Sequence, residues 1–201
     1  FANRIIVCEG ATEIGICRAL NHFRTQKGKK NASFLGVRFA DGTGSNIIAY
    51  CEGFKKSGFE VCLFCDSDDN GINSKKEELK NTGIKVVDCE QGNAIENQLF
   101  KDLPWDAIRE LIGYEEKKLS EEAVKDSVNS RCTESLTTNW QETDSATKRE
   151  ELGKTAKDMR WFKRIDHGEY LGTVVFKYFK EIQNTTLGKQ LIDLSKWIDN
   201  G

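Results

Sequence analysis

Val61-Cys62-Leu63-Phe64-Cys65-Asp66-Ser67-Asp68-Asp69-Asn70-Gly71 runs an unbroken apolar stretch straight into three carboxylates and a glycine. Five apolar side chains in succession suit a strand covered on both faces, as in a parallel α/β sheet, where ligands collect beyond the carboxyl ends of the strands. With a period of two, Asp66 and Asp68 point to the same side, while Asp69 points away and is placed to cap the next helix. Two parallel carboxylates repel unless neutralised. A divalent cation does this best, and hard oxygen ligands select Mg²⁺, Mn²⁺ or Ca²⁺ over zinc. Asp, Asn and Gly also make ordinary surface turns, so this stretch alone leaves turn and site both open. A second acidic strand end separates the two.

That second end lies at the start of the chain. Arg4-Ile5-Ile6-Val7-Cys8 is a short apolar strand, followed by Glu9-Gly10-Ala11-Thr12-Glu13 and an amphipathic helix over about Thr12 to Thr25. Glu13 falls in the first helical turn, where any acid is favoured by the helix dipole. Glu9 ends a buried strand directly, which is unusual for an acid without a partner. Ser33 to Phe39 reads as a second strand, and the glycine loop Asp41-Gly42-Thr43-Gly44-Ser45-Asn46 opens a helix carrying Ile47, Ile48, Tyr50, Cys51 and Phe54. Backbone amides in such a loop suit a phosphate, although the loop has neither the lysine of a Walker motif nor a full dinucleotide fingerprint. A charged helix over Ile72 to Asn81 and a fourth strand over Ile84 to Asp88 follow, and Gln91 to Phe100 begins the next helix with Glu96 in its first turn. Alternating strands and helices imply a mainly parallel four-stranded sheet flanked by helices.

From Trp105 the composition becomes helical and polar. Helices are expected near Asp106 to Gly113, Glu115 to Asp126 and Ala146 to Asp158, with a polar stretch from Ser127 to Ser145, then over Tyr170 to Gln183 and Leu187 to Ile198. The division expected is a catalytic core over 1–104 and a helical carboxy-terminal subdomain over 105–201. From the end of the Ala146 to Asp158 helix into the link before Tyr170 runs Lys154-Thr155-Ala156-Lys157-Asp158-Met159-Arg160-Trp161-Phe162-Lys163-Arg164. Its aromatic residues suit a core anchor with solvated basic tips, and equally a contact to a nucleic-acid backbone.

Composition narrows the classes. The net charge of -2 excludes bulk electrostatic attraction to nucleic acid, so any polyanion must be held locally. The seven cysteines sit mostly in apolar runs, and the Cys62/Cys65 pair lies within a strand, a poor zinc knuckle. Reduced thiols in a cytoplasm fit better than a disulfide scaffold. No apolar run is long enough to span a bilayer and none resembles a signal peptide, so no membrane partner is expected. A chain that opens on Phe1 and enters a strand at once reads as part of a longer protein.

Glu9-Gly10 after the first strand and Asp66-Ser67-Asp68-Asp69-Asn70-Gly71 after the third resemble the Toprim pattern in order and spacing. Together with Glu13, the Asp41 to Asn46 loop, Gly92-Asn93-Ala94-Ile95-Glu96, Trp161-Phe162-Lys163 and Gly168-Glu169-Tyr170-Leu171-Gly172, the chain is similar to the carboxy-terminal region of OLD-family (overcoming lysogenisation defect) endonucleases. The likeness is to their class 2 type, which includes the nuclease subunit of the Gabija antiphage system. It implies a metal-dependent DNA endonuclease with a Toprim fold and two divalent cations, Mg²⁺ first and Mn²⁺ or Ca²⁺ as alternatives. Glu9, Asp66 and Asp68 resemble the metal ligands of the Toprim core, Glu13 and Glu96 the added ligands for a second ion, and Lys163 the catalytic cation beside the scissile phosphate, with Glu9 also counted as catalytic. Arg160 and Arg164 compete for the role given to Lys163. The implied partners are DNA and an amino-terminal ABC-type ATPase domain outside this sequence, through which the full protein is expected to form a homo-oligomer. The alternatives are a non-catalytic DNA-docking Toprim module and a topoisomerase or primase type. For the latter, the tyrosines Tyr50, Tyr114, Tyr170 and Tyr178 lack any supporting pattern, and no zinc-binding apparatus is present.

Overall fold

The computed structural model describes residues 2–131 and 140–200. Strands β1 (Arg4–Cys8), β2 (Val37–Asp41), β3 (Glu60–Cys65) and β4 (Lys85–Asp88) form one sheet in the order β2-β1-β3-β4. Every pairing is parallel, with Cys8 opposite Asp41 on one side and Phe64 on the other. The fold is therefore the expected α/β arrangement. Because side chains alternate along a strand, Ile6, Cys8, Cys62 and Phe64 face one helical layer, while Ile5, Val7, Leu63 and Cys65 face the other. Cys62 and Cys65 thus lie on opposite faces of β3, and all six described cysteines are buried free thiols.

The second face is covered by α2 (Ile47–Lys56) and α3 (Asn70–Asn81), through Ile47, Cys51, Ile72 and Leu79. The first face carries α1 (Ala11–Gln26), α4 (Ile95–Asp102) and the carboxy-terminal helices in one continuous apolar cluster, which includes Leu20, Leu99, Leu171 and Leu191. That cluster draws on residues from both sides of position 104. Those later helices are α5 (Trp105–Lys118), α6 (Glu121–Asn129), α7 (Ala146–Asp158), α8 (Ile165–Lys177), α9 (Phe179–Ile182) and α10 (Thr186–Asp199). Among the described residues no helix is long and apolar enough to cross a membrane.

Three segments depart from the sequence reading. The second strand starts at Val37 rather than Ser33, because Ala32 to Gly36 form a helical turn closed by Val37 N–H on the Ala32 carbonyl at 2.9 Å. Gly36 ends that turn at φ +74°, a left-handed conformation that leaves Phe34 outside the sheet and 75% exposed. Next, Gly113 does not break a helix: α5 runs through it, and the break falls at Ser120, whose hydroxyl caps α6 by accepting from Ala123 N–H at 3.1 Å. Finally, the helix expected from Tyr170 begins at Ile165 and divides at Tyr178 into α8 and α9. Of the polar stretch 127–145, residues 132–139 lie outside the described residues.

Two contacts seat the carboxy-terminal helices on the core. α8 lies against α1 with backbone in direct apposition: a Cβ placed on Gly15 would stand 2.3 Å from the Gly168 carbonyl carbon. α7 lies on α4, with Gly153 against Asn97. Between α7 and α8, Trp161 and Phe162 are buried, and the Phe162 carbonyl accepts from the Thr12 hydroxyl at 2.9 Å. The aromatic pair is thus a core anchor, and it fixes where Lys163 emerges.

Candidate functional site

In the order β2-β1-β3-β4 the chain leaves β1 toward one edge and returns through β3 toward the other. The crevice beyond the carboxyl ends of β1 and β3 is therefore the topological switch point, where open α/β sheets bind ligands. Glu9 and Asp66 are the residues that follow those two strands. Glu9 N–H donates to the Phe64 carbonyl at 3.0 Å, continuing the ladder by one residue, and Asp66 N–H donates to Glu9 Oε2 at 2.9 Å. The two acids expected to share a site are joined directly.

The others are brought in by helix N-termini. Glu13 Oε2 accepts from Gly10 N–H at 3.0 Å at the start of α1, and Asp66 Oδ1 accepts from Ile95 N–H at 2.7 Å at the start of α4. Both carboxylates therefore meet the positive end of a helix as well as an unpaired amide. Glu96, in the first turn of α4, is completely buried. Glu9, Glu13, Asp66 and Lys163 line one cleft of about 340 Å³, together with Asp41 and Thr43 from the glycine loop and Arg160. Lys163 Nζ reaches Glu96 Oε1 at 2.9 Å. Asp68 stands at the side rather than in the lining of that cleft, paired with Lys157 Nζ at 2.6 Å. Asp69 points away and accepts from Ile72 N–H at 2.9 Å, capping α3 as its position in the turn predicts.

Burial and mutual repulsion dominate the electrostatics. Burial raises Asp66 to about 9, helped by the nearby charges of Glu13, Glu9 and Glu96 and opposed by Lys163. Glu13 is raised to about 7, again first by burial, with Lys163 pulling it down and Glu96 pushing it up. Burial also raises Glu9, against the lowering effect of the Asp66 N–H bond, and Asp68 adds to the rise. Burial pulls Lys163 down, but Glu96, Glu13 and Asp66 outweigh it and hold the ammonium above its ordinary value. The cleft holds more carboxylate than its lysine can neutralise.

Two lysines in this region do work that the sequence reading did not assign. Lys157 lies in the basic run around Trp161 and is the partner of Asp68. Lys76, expected on a charged helix, is buried: its Nζ donates to the Asp66 carbonyl and the Ser67 hydroxyl, both at 2.8 Å, and pairs with Asp88 at 3.0 Å. Its signal was its register, four residues after Ile72 and three before Leu79 on the apolar stripe of α3.

Residues 1–68 match the family described as overcoming lysogenization defect protein-like, TOPRIM domain. Over these residues the chain is similar to an OLD-like Toprim domain. The match contains Glu9, Glu13, Asp66 and Asp68, while Glu96 and Lys163 lie beyond it. Two solved structures of the C-terminal region of the Xanthomonas campestris pv. campestris OLD protein share the fold of the whole chain. The one phased with platinum has a TM-score of 0.55 and 15% identity, covering 99% of this chain and 95% of that one. The one phased with mercury has a TM-score of 0.57 and 15% identity, covering 99% and 97%. No curated protein matches the sequence. The Toprim domain and the helices packed on it thus share the architecture of an OLD carboxy-terminal region.

Toprim domains generally bind divalent metals, and the residues fit such ions. All the donors are hard oxygens. Glu96 Oε2 is buried without a hydrogen-bond partner, and Glu9 and Asp66 each commit one oxygen to a backbone amide with no second hydrogen bond to either carboxylate among the described residues. No three metal-ligating side chains among the described residues are already gathered around one point. Lys163 and Lys157 instead supply positive charge to Glu96 and Asp68.

Proposed function

We propose that this chain is the nuclease module of a longer protein, a metal-dependent endodeoxyribonuclease that hydrolyses DNA phosphodiester bonds. The observation that carries the reading is the joining of Glu9, Glu13 and Asp66 with Lys163 in one cleft at the switch point of the sheet. Glu9, Glu13, Asp66, Asp68 and Glu96 would hold two divalent cations, Mg²⁺ first, with Mn²⁺ or Ca²⁺ as alternatives. When bound, such ions supply charge to the scissile phosphate and activate the attacking water.

The rest of the chemistry belongs to the protein. The Gly10, Asp66 and Ile95 amides fix one oxygen of Glu13, Glu9 and Asp66 respectively, which orients each carboxylate before any ligand arrives. Lys163 stands on a buried anchor two residues before α8, so its ammonium is held close to the acids. Released from Glu96, it would face the negative charge that develops on the phosphate, in a partly desolvated place where a fixed cation is most effective. In the full-length protein the module would sit behind an ABC-type ATPase domain, with oligomerisation through that domain and a role in antiphage defence or DNA processing.

Incubating supercoiled plasmid with the protein in Mg²⁺, Mn²⁺ or Ca²⁺, and in EDTA, tests the reading. The expected result is nicked or linear product only with metal and no protein attached to the DNA. Asp66→Asn keeps the acceptor for Ile95 and should remain folded while cleavage disappears. Lys163→Gln should lower turnover by roughly 10²–10³-fold with metal affinity less affected, the range seen when one charge-stabilising donor is lost. A tyrosyl adduct points to a topoisomerase instead. The second reading, a non-catalytic docking module, is favoured by the structural use of the acids as amide acceptors; DNA binding with no metal uptake in calorimetry would establish it over the nuclease.

A further inference from the structure

Lys154, Lys157, Arg160 and Lys163 recur at every third position from the last turns of α7 to the turn before α8. Lys157 and Lys163 hold Asp68 and Glu96, Arg160 lines the acid cleft, and Lys154 is exposed. Neither Lys154 nor Arg160 makes an ion pair among the described residues. Arg160 is also held at φ +57°, a conformation costly for a residue with a Cβ, and one that turns the chain from α7 toward the cleft. Beside the stripe lies a groove of about 740 Å³, with the β4–α4 loop and α4 as one wall and α7 as the other. Asn93, Asn97 and Lys101 line the first wall, and Arg149, Lys154 and Lys157 the second. Arg149 is occupied, donating to the Leu103 carbonyl at 2.6 Å and to Asp144, and Lys101 is paired with Glu90. Glu150 and Asp158 also face the groove, so its bulk charge is weak and the ordered stripe must make any contact.

We propose that this groove carries the DNA backbone on one side of the scissile bond, with Lys154 and Lys157 on its phosphates and Arg160 where the strand enters the cleft. The proposal rests on the nuclease reading and adds to it a direction for the substrate. Residues three apart on a helix advance about 4.5 Å along its axis, and lysine side chains are flexible enough to meet successive phosphates from that spacing. Lys157 stands between the two: it lines the groove and reaches Asp68, which stands beside the cleft. The same geometry makes Lys157 conditional: while Asp68 holds it, its ammonium is paired and is not free to meet a phosphate in the groove it lines.

Fluorescence anisotropy with a short labelled DNA duplex, titrated with salt in Ca²⁺ and in EDTA, tests this. The slope of log Kd against log salt reports phosphate contacts, about 0.9 per contact on duplex DNA. In Ca²⁺, Lys154→Gln and Lys157→Gln should each reduce the slope by about that amount, Lys154→Arg should keep it, and Lys55→Gln on α2, across the sheet, should leave it unchanged. In EDTA, Asp68→Asn should release Lys157 and increase the slope by one contact, and Lys157→Gln in the same chain should cancel the gain. If wild type binds and cuts DNA while the Lys154 and Lys157 variants retain its slope, the groove is not the path and the nuclease reading stands. If wild type shows no salt-dependent binding in either condition, both fall.

Discussion

The seat of α8 on α1 makes a prediction whose sign can be read for each glycine. A Cβ on Gly15 would stand 2.3 Å from the Gly168 carbonyl carbon and 2.4 Å from Glu169 N; one on Gly172 would stand 2.5 Å from Ala19 Cβ. Non-bonded carbons are comfortable at about 3.5–4.0 Å, so Gly15→Ala must part the helices by about 1 Å. The atoms in the way are backbone and cannot turn aside. Overpacking of this kind costs about 1–3 kcal/mol, and the upper end applies here. Replacing a helical glycine by alanine returns about 1 kcal/mol, leaving a net loss of about 2 kcal/mol. For a chain of this size that is roughly 4–8 °C in Tm. Gly53→Ala on α2 has nothing within 4 Å of the new methyl, and Gly113→Ala on α5 only Glu116 Oε2 at 4.0 Å. These two should gain about 2–4 °C through the same propensity term. Because Lys163 emerges just before α8, the 1 Å displacement should also lower cleavage by about 10²-fold, a typical effect of misplacing a catalytic group by that distance. Differential scanning calorimetry on the three variants decides the matter. A Gly15→Ala protein as stable as Gly53→Ala would show that the two helices are not in backbone contact.

Glu115 is buried on α5, its Oε1 has no hydrogen-bond partner, and burial raises its pKa to about 7 despite Lys118. The unfolded chain releases this proton near the ordinary 4.5 and the folded chain only near 7, so stability falls as pH rises between those values and then levels off. The shift is equivalent to about 3 kcal/mol, so Glu115→Gln should match wild type at pH 4 and exceed it by up to that amount at pH 8 in denaturant melts; a difference independent of pH would refute the assignment. Lys76→Met should cost about 3–5 kcal/mol, because it strands the Asp88 charge and leaves the Asp66 carbonyl and Ser67 hydroxyl without their donor. Metal affinity by calorimetry should fall with it, and Lys76→Arg should restore neither fully, since a guanidinium does not fit the point where three oxygens meet one ammonium.

What could be read from the sequence follows how completely each segment is determined by its own residues. β1 and β3 are buried on both faces, so their apolar runs and the acids at their ends were legible to within a residue. Once the alternation of strands and helices implied a parallel sheet, Glu9 and Asp66 had to emerge at the same edge. Their direct hydrogen bond required β1 and β3 to be neighbours, which depends on strand order. β2 was displaced because Phe34 and Leu35 count as apolar wherever they lie, whereas the left-handed Gly36 decides that they precede the strand. Lys76 was hidden by the opposite error: a lysine on an apolar stripe was averaged into a charged helix. Lys157 needed the third dimension, since nothing in its neighbourhood names Asp68 as a partner 89 positions earlier.

The arrangement of the acids explains how a chain of net charge -2 can fold around a cluster of buried carboxylates. Isolated buried charge is costly, and two lysines do not neutralise five acids. Backbone amides supply what the lysines lack: the Gly10 and Ile95 N–H groups begin helices, where no intrahelical acceptor exists for them, and the Asp66 N–H leaves the end of β3. Each satisfies an otherwise unpaired donor and one carboxylate oxygen together. Burial raises Asp66 to about 9, which reduces the negative charge the cluster has to carry. Amide, proton and lysine are therefore three ways of balancing one excess of negative charge, and only the amides also orient the carboxylates. The site is assembled by the ends of β1, β3, α1 and α4 before any ligand enters, and this is why its acids are distributed along the chain as strand ends and first helical turns.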